Sequence, residues 1–94
     1  MNEAGWQCFL NWCSATQDKD LLTELFDCLL TPEEKESIET RCLIVQALLD
    51  QEKPQRQISE DLKVSIAKIT RGSNQLKRIS NKLKTYLSSN RAQS

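Results

Sequence analysis

Apolar residues recur at helical spacing along almost the whole chain, and they do not alternate as in a half-buried strand. Trp6, Phe9, Leu10 and Trp12/Cys13 fall three and four apart, which predicts an amphipathic helix over 3–15. A loop is expected from Thr16 to Lys19. Asp20 is then placed to cap a second helix that carries Leu21, Leu22, Leu25 and Phe26 on one face. The run LLTPEEKESIETRCLIVQALLDQE holds the clearest start signal. Thr31 caps, Pro32 takes the first helical position, and Glu34 three residues after Thr31 completes a capping box. Glu33 and Glu34 also meet the positive end of the helix dipole. Ile38, Arg41/Cys42, Val45, Leu48 and Leu49 extend the stripe for about five turns, until Asp50–Lys53 and Pro54 end it.

Shorter elements follow. Residues 54–62 read as a short helix with Ile58 and Leu62 on one face, and Lys63 and Val64 form a tight connection. Ser65 caps a helix from Ile66 to about Lys77, with Ile66, Ile69 and Leu76 available for packing. A last helix is expected after Ser80, with Leu83, Tyr86 and Leu87 turned inward, while the polar tail from Ser88 onward should fray. The expected organisation is one all-α domain over 1–94. Its parts are a dimerisation core (1–53), a helix-turn-helix (54–78), a C-terminal core helix (79–88) and a tail (89–94). Two tryptophans and a phenylalanine within 6–12 are too much apolar area to leave in water, so either the helix folds back on its own chain or it is buried against a second subunit.

Charge changes this picture more than composition does. The chain is neutral overall, but residues 1–52 hold three basic groups against eleven acidic ones, and residues 53–94 hold ten basic groups against Glu60 and Asp61. A net −8 beside a net +8 predicts a basic face that seeks a polyanion. No run of eighteen apolar residues exists and the first residues are polar, so neither a membrane span nor a secretory signal is expected. Cys8, Cys13, Cys28 and Cys42 have no Cys-x2-Cys pair and no histidine for company, which fits no zinc template. They read as reduced thiols packed as small hydrophobes in a cytoplasmic protein.

The short helices at 54–62 and 66–77 form a candidate helix-turn-helix, with Ile58, Leu62, Val64 and Ile69 spaced to share a small core. The small hydroxyl cap Ser65 lets the second helix approach a phosphate backbone closely, and Ile66 and Ala67 at its leading end can meet a thymine methyl. Gln55, Arg56, Lys63 and Lys68 are candidate phosphate contacts that set register, with Ser59 and Thr70 adding hydroxyls. Asn74 and Lys77 extend the polar face. Catalysis is not expected. No histidine supplies a base near neutral pH, no carboxylate pair recurs, and the two glycines, Gly5 and Gly72, make no phosphate loop.

Two residues stand out on their helices. Gly72 costs a helix interior about 1 kcal/mol relative to alanine, so either the helix bends there or something approaches its backbone. Arg71 beside it has the planar fork to hold a carboxylate. Arg41 lies next to the apolar stripe of the central helix, where it either extends out to water or stacks on an aromatic group.

LLTPEEKESIETRCLIVQALL and QRQISEDLKVSIAKITRGSNQLK closely resemble the bacterial tryptophan repressor family over roughly residues 28–87, with ITRGSN the most specific element. The resemblance implies an all-α, intertwined homodimeric bundle with a helix-turn-helix reading head in each subunit, bound to palindromic double-stranded operator DNA. It implies no cofactor beyond the corepressor L-tryptophan, bound between central core and reading head, and control of tryptophan biosynthesis or uptake genes. Helix-turn-helix docking and water-mediated base contacts are general properties of that family, not inferences from this chain. By position, Arg71 is the expected partner of the ligand carboxylate, Arg41 stacks on the indole, and Thr31 lies beside the carboxylate. The carbonyls of Cys28 and Leu30 accept from the ammonium, and Gly72 allows close approach of the ligand. Departures are also visible. Gln75 replaces a serine that helps hold the ammonium, Lys68 replaces a phosphate-binding threonine, and Lys63 and Ser65 replace glycines at the turn. Competing readings are a regulator of the same fold with another ligand or none, and a helical module that docks an acidic protein.

Overall fold

In the computed structural model, which describes residues 3–90, six helices follow one another: α1 Glu3–Ser14, α2 Lys19–Leu29, α3 Pro32–Asp50, α4 Gln55–Leu62, α5 Ile66–Leu76 and α6 Asn81–Ser89. The chain divides into two compact units, residues 1–35 and 36–94.

In the first unit the connections are held by local chemistry. The carboxylate of Asp18, not Asp20, caps α2 by accepting from the backbone N–H groups of Asp20 (3.0 Å) and Leu21 (3.3 Å). Asp20 instead lies in the first turn, where its charge faces the positive end of the dipole. The expected capping box is formed. The Glu34 N–H donates to the Thr31 hydroxyl at 3.2 Å, and the Thr31 N–H donates to the Glu34 carboxylate at 2.9 Å. Lys35 pairs with Asp27 at 2.5 Å. Phe9 of α1 and Phe26 of α2 meet with ring centroids 6.2 Å apart, and Trp6 lies 5.4 Å from Phe9. No residue of α1 or α2 is buried, and Trp6 keeps 59 % and Trp12 51 % of its surface exposed.

The second unit has a core of three isoleucines, Ile44 of α3, Ile58 of α4 and Ile69 of α5, ringed by Ala47, Leu48, Leu62 and Val64. The helix-turn-helix residues Ile58, Leu62, Val64 and Ile69 therefore do share one small core. The central stripe is phased differently from expectation. Ile44, outside the expected stripe, is its buried member, while Ile38 stays 46 % exposed and Cys42 is exposed. The cause is the run Leu43–Leu49, which is apolar on nearly every side of the helix, so that spacing alone does not choose a face. The residue Gln51, just past α3, takes a left-handed φ of 55° and turns the chain.

Ser65 caps α5 as expected, its hydroxyl accepting from the Lys68 N–H at 3.3 Å, and Ser80, after which the last helix is expected, caps α6 in the same way through the Leu83 N–H at 3.1 Å. The C-terminal helix departs from expectation in two ways. It runs through Ser88 and Ser89, closed by Asn90, whose N–H and side-chain amide both donate to the Tyr86 carbonyl. Residues 91–94 of the expected tail lie outside the described residues. Leu83 and Tyr86 are exposed, Tyr86 by 62 %, and only Leu87 of the three expected inward residues is half-buried. The nine-residue helix simply meets too little of its own chain to cover that face.

Among the described residues no helix is long and apolar enough to cross a membrane, and no cluster of histidine, cysteine or acidic groups is arranged to hold a metal ion. All four cysteines are free thiols. Cys8 and Cys13 are half-buried, but Cys28 and Cys42 are exposed, so the expected packing role holds for two of them.

Candidate nucleic-acid interface and ligand residues

The reading head is α4, a three-residue elbow and α5. Pro54 fixes the extended start of α4 with φ −68°, and the elbow turns on Lys63, whose φ of 58° lies in the left-handed region. The Val64 N–H donates to the Ser59 carbonyl at 3.1 Å and the Lys63 N–H to the Glu60 carbonyl at 3.3 Å, the two bonds of a Schellman motif. A lysine at such a position carries a steric cost of about 1–2 kcal/mol that glycine would not. Ser59 is half-buried, and its hydroxyl donates to the Val64 carbonyl at 2.5 Å. Thr70 of α5 donates to the Gln55 side chain of α4 at 3.3 Å, which joins the polar faces of the two helices.

Ile69 is fully buried, and this single anchor turns the opposite face of α5 to water. Ser65, Ile66, Ala67, Lys68, Thr70, Asn74 and Lys77 are all exposed there, as are Arg56 of α4 and Lys63 of the elbow. Ile66 remains 49 % exposed at the leading end, so it serves the outward face more than the core. Of the expected contact residues only Gln55 and Ser59 are half-buried.

A cluster that periodicity did not reveal braces the approach to α4. Asp61 accepts from the Lys53 ammonium at 2.7 Å and from the Gln57 amide at 2.8 Å. These hydrogen bonds, Lys53 first, hold the Asp61 carboxyl below its ordinary value, and the bond and charge of Asp61 raise the Lys53 ammonium above its own. Gln57 and Asp61 are four apart on one helix and thus legible, whereas Lys53 reaches them across a proline turn.

The expected ligand residues fall in both units. Arg41 of α3 and Arg71 and Gln75 of α5 are exposed. Gly72 lies inside an uninterrupted α5 with no positive φ, so α5 neither breaks nor leaves the right-handed helical region there. A Cβ built on it would sit 3.0 Å from Ile44 Cγ2 and 3.4 Å from Leu48 Cδ1, so α3 is the element that comes close to this backbone. In the first unit Cys28 and Leu30 lie in the last turn and at the C-cap of α2, at the negative end of its dipole. The Thr31 hydroxyl accepts the capping bond and keeps its own proton to donate.

A family model described as Trp repressor protein matches residues 4–91. The chain belongs to the Trp repressor family. Proteins of this family are non-catalytic DNA-binding regulators, and membership supports a repressor role for this chain. Relatives described as Trp operon repressor homologs bear out the assignment. One from Chlamydia caviae is 48 % identical over 86 residues, covering 92 % of this chain and 85 % of the relative. One from Chlamydia trachomatis serovar D is 45 % identical over 85 residues, covering 90 % of each. One from Vibrio campbellii is 44 % identical over 86 residues, covering 87 % of this chain and 86 % of the relative. The family match thus extends beyond residues 28–87 to take in nearly all of the aromatic α1.

Proposed function

We propose that this protein is an L-tryptophan-dependent repressor that binds palindromic operator DNA as a homodimer and controls genes of tryptophan biosynthesis or uptake. The observation that carries the reading is the outward face of α5, in a chain matched to the Trp repressor family over 4–91. That face is capped by Ser65, free of acidic groups and anchored by Ile69. Ser65, Ile66 and Ala67 lead into the major groove, Lys68, Thr70 and Asn74 reach base edges and phosphates, and Arg56, Lys63 and Lys77 fix register on the backbone.

A homodimer is favoured by how little apolar surface one chain covers. Among the described residues three side chains are buried, while Trp6, Trp12, Leu43, Leu83 and Tyr86 are exposed. Intertwining of two chains would remove that surface from water and separate the two recognition helices by about 34 Å, one turn of duplex.

For the corepressor, Arg71 supplies a bidentate partner to the amino-acid carboxylate and Arg41 a flat cation to stack on the indole. Gly72, whose missing Cβ leaves room for Ile44 and Leu48 of α3, keeps α5 close to the helix that carries Arg41, and the Gln75 amide takes the place of a hydroxyl at the ammonium. The Thr31 hydroxyl and the carbonyls of Cys28 and Leu30 belong to the same proposal. L-Tryptophan acts by population shift, favouring the head arrangement that DNA accepts, which needs only a few kcal/mol of differential affinity. Calorimetric titration with L-tryptophan tests the ligand. Heat of binding is expected, and none at millimolar ligand contradicts the corepressor role. Gln75 favours one alternative, a regulator of the same fold with a different small ligand. The same titration separates the two, because a regulator with a different ligand gives no heat with L-tryptophan, and Arg41→Ala weakens an indole ligand while barely changing a ligand-free DNA binder.

A further inference from the structure

From the elbow geometry we infer that Ser59 is a positioning residue for the recognition helix and makes no direct contact with DNA. Ser59 holds Val64 at two points. Its carbonyl accepts the Val64 N–H at 3.1 Å, and its hydroxyl donates to the Val64 carbonyl at 2.5 Å. The first bond is what a Schellman turn requires of any residue three from the helix end. The second is particular to a side chain with a short hydroxyl at this position.

Its consequence runs forward along the chain. The Val64 carbonyl and the Ser65 nitrogen belong to one planar peptide, so a hydroxyl that holds this oxygen also fixes the plane from which α5 starts. Ser65 then caps α5 through the Lys68 N–H. Val64 itself packs against the core of Ile44, Ile58 and Ile69. The elbow needs this hold because Lys63 occupies a left-handed conformation, φ 58°, that a lysine does not favour. Ser59 is half-buried with its hydroxyl proton committed, which leaves it poorly placed to donate to a phosphate.

The test uses full-length protein with Ser59→Ala and Ser59→Thr, the latter keeping the hydroxyl. In free protein, amide hydrogen exchange at Val64 and Lys68, whose N–H groups bond to Ser59 and Ser65, is expected to accelerate about fivefold in Ser59→Ala, the effect of one net hydrogen bond, and to return in Ser59→Thr. Duplex affinity should fall by a similar factor at every salt concentration and recover likewise. The DNA arm rests on the proposed function, whereas the exchange arm needs no DNA, so wild-type protein that fails to bind duplex leaves the elbow still tested. Unchanged exchange in free Ser59→Ala protein overturns the inference. If duplex affinity falls all the same, Ser59 is a direct DNA contact.

Discussion

Single residues in this chain carry costs that their neighbours explain. Gln51 and Lys63 both take left-handed φ without being glycine, 55° and 58°. Each should be relieved by glycine, with a gain of about 1–2 kcal/mol set against about 0.4–1 kcal/mol for the freer unfolded chain. Gln51→Gly should therefore raise the urea midpoint modestly. Lys63→Gly should do the same while reducing the salt slope of duplex binding by about one per reading head, because it removes a cation as well as strain. Gly72 is the converse case. Alanine there gains about 1 kcal/mol of helix propensity and presses Ile44, whose Cγ2 lies 3.0 Å from the new Cβ. Gly72→Ala is expected to change stability by less than about 1 kcal/mol, since the two effects oppose. Loss of L-tryptophan binding in a variant that remains folded would then report on the ligand, not on the fold.

At the scale of elements, most of the helix pattern was readable because its punctuation is chemical. Thr31-Pro32 with Glu34, then Ser65 and Ser80, each place an oxygen where a helix needs an acceptor, and all three caps are formed. Ser80→Ala, outside the recognition helix, should cost about 1 kcal/mol in chemical denaturation and leave duplex specificity unchanged. Where the signal was degenerate, sequence reasoning had no basis to choose. Asp18 and Asp20 are both good caps, and the backbone settled on Asp18. Ile44 was hidden in a run that is apolar all round, and the Lys53–Asp61 pair was hidden by a turn with no period. That pair makes a pH prediction. Asp61 has a lowered carboxyl, so its contribution to stability is present above the unfolded-state value and is lost as pH falls through the folded one. Lys53, raised, contributes below its unfolded value and loses that contribution as pH rises through its folded one. NMR titration should find Asp61 below the ordinary aspartate range and find it moved back up in Lys53→Ala.

Across the whole molecule, what the sequence announced most plainly was the division of charge, and it is carried by helices whose folded order matches the expected one. What it left unreadable was which apolar faces one chain covers for itself. Leu83 and Tyr86 look like core residues by spacing and are exposed in a single chain, because amphipathicity specifies that a face is to be covered but not by what. Duplexes enriched by the protein from a random pool in the presence of L-tryptophan allow the most direct test, titrated with and without the amino acid over a range of salt. Affinity should rise sharply with L-tryptophan and fall steeply with salt in both conditions. Equal affinity with and without the amino acid would contradict a tryptophan-dependent repressor.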